Sequence, residues 1–434
     1  MIRVELFGHG IGGRLDLPVP LSYFTAGAAL VLIVTFVGLA ALWPQPRLQE
    51  GPRAQPSGFR PPVGLLAAVG VVGLLLTIIG GVSAMVAGPG AVGSRNIAPL
   101  LVWVVFWLVV PFAGAIVGDL YTALNPWRAL AEWLGLGDTE RPELTARWGL
   151  WPAAVVLFSF AWLELIYPES ATPGAVATAS LAYTIFLLIL ISRVGRETAL
   201  TSVDAFESYN RLISGVSPMG RDDQGHLVRR GWLRALVVIP QWRGLAAFVV
   251  VMIGTVSYDG LSATGWWEKA TGSFGASMLG GTVLMLALPA AIGGAYFLAC
   301  LAAAWMGGRD RSAGEVAARF AHTLVPIALA YAFAHYFTLI LFEGQQLISS
   351  VSDPFGLGWD LFGTRDHKID FFLGPIAVWY IQVGTIVAGH LAGVVLAHDR
   401  ALADFRGAGA VRSQYAMLGL MVTLTSLGLF ILAG

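Results

Sequence analysis

The sequence predicts an all-α polytopic bundle of about ten membrane-spanning helices, with both termini outside. Three observations carry that expectation. Of 434 residues, 56% are hydrophobic and only 12% charged, about half the ~25% charged residues of a soluble domain. Ten apolar runs each approach the ~20 residues that a helix needs to cross ~30 Å of hydrocarbon. All 26 Lys and Arg fall outside those runs. The runs are continuously apolar and do not alternate, which argues against a closed β-barrel.

In chain order the runs are 21–43, 63–84, 98–118, 149–167, 174–192, 244–260, 277–305, 320–342, 371–397 and 413–433. The connections after the odd-numbered runs hold 20 Lys and Arg, and the remaining connections and termini hold 6. Basic residues stay cytoplasmic, so this alternation places the odd connections inside. Trp43, Trp148, Trp151, Trp266, Trp305 and Trp359 sit at or near run ends, as in an aromatic belt. The first run follows Arg3 and Arg14 and so has the flank of a signal peptide. No small-residue cleavage site follows it, and an uncleaved helix is expected.

The connection 44–62 is rich in Pro and Arg and reads as an extended linker. In 120–136, Asn125-Pro126 marks a turn. Trp127, Leu130 and Trp133 then recur at helical spacing, predicting a short helix in the inner interface. The long cytoplasmic loop 193–243 carries eight Arg. Its Leu200, Val203, Phe206, Tyr209 and Ile213 predict an amphipathic helix docked on the membrane or on the bundle. Pro289 and Gly293-Gly294 inside the seventh run predict a kink or strong tilt. The segment 352–364 mixes aromatics with Gly and Asp and reads as a packed outer loop, or else as an interfacial or re-entrant loop dipping into the bundle. Ten runs divide as five plus five, the arithmetic of an inverted repeat.

The 352–364 segment, the preceding run with His322, Tyr331 and His335, and the following run with His390 and His398 resemble a group of uncharacterised bacterial polytopic integral membrane proteins. Asn96–Pro99 and Asn125-Pro126-Trp127-Arg128 resemble the same group. The resemblance implies the topology and supplies no activity, cofactor or residue role.

Composition excludes several classes. Lys+Arg and Asp+Glu both number 26, so no net positive charge attracts nucleic acid. One cysteine, Cys300, excludes structural disulfides and Cys-based zinc or iron–sulfur sites. The Gly8–Gly13 stretch is glycine-rich but lacks the strand–helix context of a phosphate loop.

Ionisable residues inside a bilayer are functional candidates by default. Glu164 lies 17 residues from Arg147, Asp259 16 from Arg243, His335 16 from Arg319 and Gln382 18 from Arg400. At 1.5 Å per residue all four stand about 24–27 Å from the inner face, in the outer third. Tyr331 shares a face with His335. Two carboxylates and an imidazole at one depth, with Tyr331 and Gln382 as neutral ligands, suit a cation or an exchanging proton. Snorkelling to headgroups or helix capping is the plain structural alternative for Glu164 and Asp259.

The expected function is secondary transport of a small solute or ion across the plasma (inner) membrane, with no cofactor favoured. The alternative is a haem or copper redox protein, or a respiratory-complex subunit or assembly factor, using His322, His398 and His390. The depths of His335 and His390 differ by about 9 Å, against a bis-His haem between them. The bilayer is the expected partner, and membrane-protein partners or a homo-oligomer stay open.

Overall fold

The computed structural model describes residues 20–49, 55–56, 59–88, 96–222, 225–308 and 311–433. Arg3, Arg14 and the Gly8–Gly13 stretch lie outside them. Among the described residues, nine helices are long and apolar enough to cross a membrane, or ten if one bent pair is counted as a single crossing. The chain is a multi-pass helical membrane protein.

We label the crossing helices α1 (Leu21–Leu42), α2 (Val63–Ala87), α3 (Ile97–Val117), α4 (Trp151–Leu165), α5 (Pro173–Val194), α6 (Leu245–Ser262), α7 (Met278–Met306), α8 (Ala313–Leu341), α9 (Pro375–Asp404) and α10 (Ala408–Ala433). Several starts carry local caps that satisfy otherwise unpaired amide groups. Asn96 accepts from Ala98 N, Thr172 from Ala175 N and Ser277 from Gly280 N. Ser312 and Glu315 form a reciprocal capping box at α8.

α6 is the hub. It packs on α4, α7, α8 and α10, and most of its residues are buried. α1 packs on α9 and α10, so the two sequence halves are not two spatial halves.

Several boundaries differ from the sequence expectation. The fourth crossing is bent by 63° between Pro142–Trp148 and Trp151–Leu165. Gly149 makes that corner at φ +54°, and a Cβ there would strike the Arg243 carbonyl. α7 is one 29-residue helix through Pro289, whose ring packs on Gly254 of α6. α8 contains a 3-10 turn at Ala321–Leu324. α9 begins at Pro375, not at 371, and runs on to Asp404. Asp399 and Arg400 therefore belong to the helix. Their charges are met by protein groups. Asp399 accepts from Trp43 Nε1 and from the Arg47 and Leu48 amides, and Arg400 donates to the Val237 carbonyl. The 352–364 loop is organised by Asp353, which accepts from the Leu357 and Gly358 amides.

The largest departure is in 120–136, read as an interfacial helix, while the helix expected in the long loop docks on the bundle but is broken and more deeply buried than its periodicity implies. Residues 120–136 form two short helices, Tyr121–Leu124 and Pro126–Trp133. Tyr121, Ala123, Trp127, Ala129 and Ala131 are buried, so this is not a helix lying flat on a surface. Gly70 of α2 lets the Leu124 carbonyl approach the α2 backbone so closely that no Cβ fits. The amphipathic helix of the long loop is two helices, Arg196–Ser202 and Ala205–Ser214, broken at Val203-Asp204. The second is buried on its polar face as well: Glu207, Ser208, Asn210 and Ser214 are all covered. Tyr209 packs against Trp107, halfway along α3, with the rings tilted by 34° and 4.9 Å between ring centres. Asp204 accepts from Tyr183, halfway along α5. Both connections thus fold back between the crossing helices. Beyond them, Met219–Arg221 and Leu227–Arg229 form an antiparallel hairpin, joined by Gln55–Pro56 of the first linker.

Candidate functional site

Three crossing helices bring Glu164, Asp259 and His335 together. Asp259, near the end of α6, is 3% exposed. Its Oδ2 lies 2.8 Å from His335 Nε2 and accepts a 2.8 Å bond from the Tyr336 hydroxyl, both from α8. Glu164 of α4 stands beside them, close enough for its charge to act on Asp259 and Tyr336. Gly260, next in α6, admits Ile431 of α10, whose Cγ2 lies 2.4 Å from where a Cβ would stand, and the His335 ring lies beside it, with Nδ1 at 3.3 Å.

Gln382 reaches the same level from α9. Its Nε2 donates to the Ala334 carbonyl at 2.7 Å, while its Oε1 is buried without a partner. Tyr331 lies one turn away and donates to the Leu424 carbonyl of α10. A cavity of about 30 Å³ lies between Ser257, Tyr331, His335 and Ile386, room for about one water molecule. The Ser257 hydroxyl on its wall is buried without a hydrogen-bond partner. The arrangement gathers two carboxylates, an imidazole, two phenols and an amide inside the bundle, chemistry suited to holding and passing a proton.

The three histidines of the redox alternative stand apart from one another. His390 binds its own helix through Nδ1 to the Ile386 carbonyl at 2.8 Å, and packs against Tyr331. His398 uses both ring nitrogens, toward Gln414 Oε1 at 2.8 Å and the Trp43 carbonyl at 3.0 Å. His322 lies near Arg400 and Arg319, whose positive charges oppose a metal cation there. Among the described residues, no three His, Cys, Asp or Glu side chains gather to hold a metal ion.

A second polar cluster escaped the sequence reading. Asn125 is fully buried and donates through Nδ2 to both Asp204 Oδ2, at 3.1 Å, and Glu207 Oε2, at 3.0 Å. Its Oδ1 caps the Pro126–Trp133 helix through the Trp127 and Arg128 amides. Asp204 caps Ala205–Ser214 through Phe206 N. Glu207 receives Thr122 Oγ1 at 3.0 Å, Arg211 at 3.2 Å and Arg128 at 3.4 Å. Arg128 also pairs with Glu197. Asp204 lies in a connection between crossings. Burial, and then the neighbouring Glu207 carboxylate, raise its carboxyl to about 7, against the hydrogen bonds from Tyr183 and Asn125. The sequence signal for this cluster was present in Asn125-Pro126 and in Asp204-x-x-Glu207, both helix-start patterns.

Compared with known proteins, the chain matches no family model, no curated protein and no solved structure.

Proposed function

We propose that the chain is a proton-coupled secondary transporter of a small solute in the plasma (inner) membrane, with its arginine-rich end cytoplasmic and both termini outside. One observation carries this reading: a buried Asp259 carboxylate shared by His335 and Tyr336, with Glu164 beside it. A second carboxylate and an imidazole beside Asp259 supply alternative proton acceptors. The group sits where α4, α6 and α8 meet, so a proton taken up there bears on the packing of three crossing helices at once. Gln382 and Tyr331 supply neutral oxygen and nitrogen groups beside it.

The test uses purified chain in proteoliposomes containing a pH-sensitive dye, an acid-outside gradient and pooled small solutes, with mass spectrometry of the vesicle contents. The reading expects one or more solutes to accumulate together with proton entry. Asp259→Asn and His335→Ala should reduce both by at least about tenfold, the effect of removing ~1.4 kcal/mol of coupling. Glu169→Gln, on an exposed turn, should not. Accumulation of no solute, or wild-type coupling in Asp259→Asn, overturns it.

A further inference from the structure

Several arginines at the inner end of the bundle are committed to the protein. Arg128 pairs with Glu197, Arg196 with Glu132 and Arg211 with Glu207. Arg230 donates to the Ser214 carbonyl and Arg400 to that of Val237. Arg147 and Arg243 differ. Both are exposed, and among the described residues neither guanidinium has an acidic or carbonyl partner. Glu143, one turn before Arg147 and also exposed, forms no ion pair with it.

The two stand together because two chain segments are locked at one corner. Leu150 N donates to the Arg243 carbonyl at 2.7 Å. A Cβ on Gly149 would lie 2.8 Å from Arg243 Cβ, and one on Gly244 would lie 2.9 Å from Trp151 N. Arg147 is two residues before Gly149, at most ~7 Å along the chain. Two long side chains rooted that close can meet on one phosphate, which guanidinium groups bind through paired hydrogen bonds. The helix Pro142–Trp148 that carries Arg147 buries none of its residues and is bent 63° from α4. Along α4 from the corner, Trp151 and Val155 are 55% and 65% exposed, and Ser159 continues the stripe at the same spacing. This stripe belongs to the outward face of a crossing helix, and it begins with the aromatic residue favoured at a membrane interface.

Unpaired positive charge next to an apolar stripe complements a molecule with an anionic head and apolar tails. We infer that this corner binds an anionic glycerophospholipid, its phosphate between Arg147 and Arg243 and an acyl chain along Trp151 and Val155. Basic residues clustered at the cytoplasmic ends of crossing helices favour such headgroups. The lipid thereby clasps the inner ends of α4 and α6, whose outer ends carry Glu164 and Asp259. The inference rests on the membrane placement of these helices and not on the proton-coupling reading.

The probe is dioleoylphosphatidylglycerol, titrated onto the full chain in detergent and counted by native mass spectrometry, with dioleoylphosphatidylcholine as the comparison of neutral net charge. The first phosphatidylglycerol should be held at least about tenfold more tightly than phosphatidylcholine, and rising salt should narrow the difference. Arg147→Gln and Arg243→Gln, both at exposed positions where the fold tolerates change, should each weaken its retention about fivefold and together abolish the preference. Arg229→Gln, at an exposed position in the hairpin, should leave it unchanged. sn-Glycerol 3-phosphate, which has the charge without the chains, should not compete at equal concentration. Asp259→Asn should bind like wild type, so this site and the transport reading fail separately. Equal retention of the two lipids, retention untouched by the double glutamine variant, or an equal loss in Arg229→Gln overturns the inference. Competition by sn-glycerol 3-phosphate assigns the corner to a soluble anion and overturns the lipid.

Discussion

Asp259 and His335, 76 positions apart in the chain, meet at 2.8 Å between two crossing helices, and Tyr336 closes on the same carboxylate oxygen. Neighbouring residues of one helix thus approach a single oxygen together, while the absence of a side chain at Gly260 lets Ile431 of α10 pack close beside the imidazole. The two contacts should differ in what they contribute to stability. Tyr336→Phe removes one hydrogen bond to the carboxylate and should cost roughly 1.5–3 kcal/mol. His335→Ala leaves a buried carboxylate without its imidazole and should cost roughly 3–5 kcal/mol. Denaturation of the two variants in the same detergent checks the order, and equal losses would contradict it.

The Asp204 carboxyl sets a pH dependence. Its folded-state value is raised to about 7, above the ~3.9 of an unfolded chain. Between those values the folded state holds a proton that the unfolded state has released. Its contribution to stability is therefore fully present below about pH 4 and is lost as pH rises through about 7. Asp204→Asn should flatten this part of the profile, as read from melting temperature between pH 5 and 8.

Gly70 and Gly73 are one helical turn apart on α2 and should respond oppositely to a methyl group. At Gly70 a Cβ runs into the Leu124 carbonyl, while at Gly73 it meets nothing within 4 Å. Gly70→Ala should cost roughly 1–3 kcal/mol by displacing the Tyr121–Leu124 helix. Gly73→Ala should be neutral or stabilise slightly through helix propensity. Thermal melts of the two variants decide it.

Orientation can be read with single cysteines after Cys300→Ala. A cysteine replacing Gly363 should react with a membrane-impermeant maleimide in intact cells. One replacing Gly225, in the hairpin of the arginine-rich end, should react only after permeabilisation. The reverse pattern would invert the topology derived from the arginines.

The crossings were legible because lipid imposes a simple code: about twenty apolar residues per helix and basic residues on one side. The common level of Glu164, Asp259, His335 and Gln382 was legible for the same reason, since residue spacing from a bordering arginine measures height. Lateral neighbours were not. Nothing in the spacing says that α6 is the hub, or that Tyr336 turns toward Asp259 alongside His335. The depth of the folded-back helices was not legible for a related reason. Phe206, Tyr209 and Ile213 announce an apolar face, but the periodicity cannot report that Glu207 and Asn210 are also covered. That requires Asn125, Thr122 and Arg128 to arrive from about 80 residues earlier, as the Asn125–Glu207 separation of 82 shows. At α9, the charged pair Asp399-Arg400 marked a boundary in the sequence. The helix continues because other segments meet both charges.

The grip of Asp399 and His398 on Trp43 and the residues after it has a consequence for biogenesis. Trp43 and Asp399 are 356 positions apart, so the first helix leaves the ribosome long before its clasp is made. Until α9 has been synthesised and inserted, α1 has neither of its main neighbours, α9 and α10. Nascent chains halted before residue 375 should therefore carry an undocked amino-terminal helix, exposed to quality-control proteases in the bilayer.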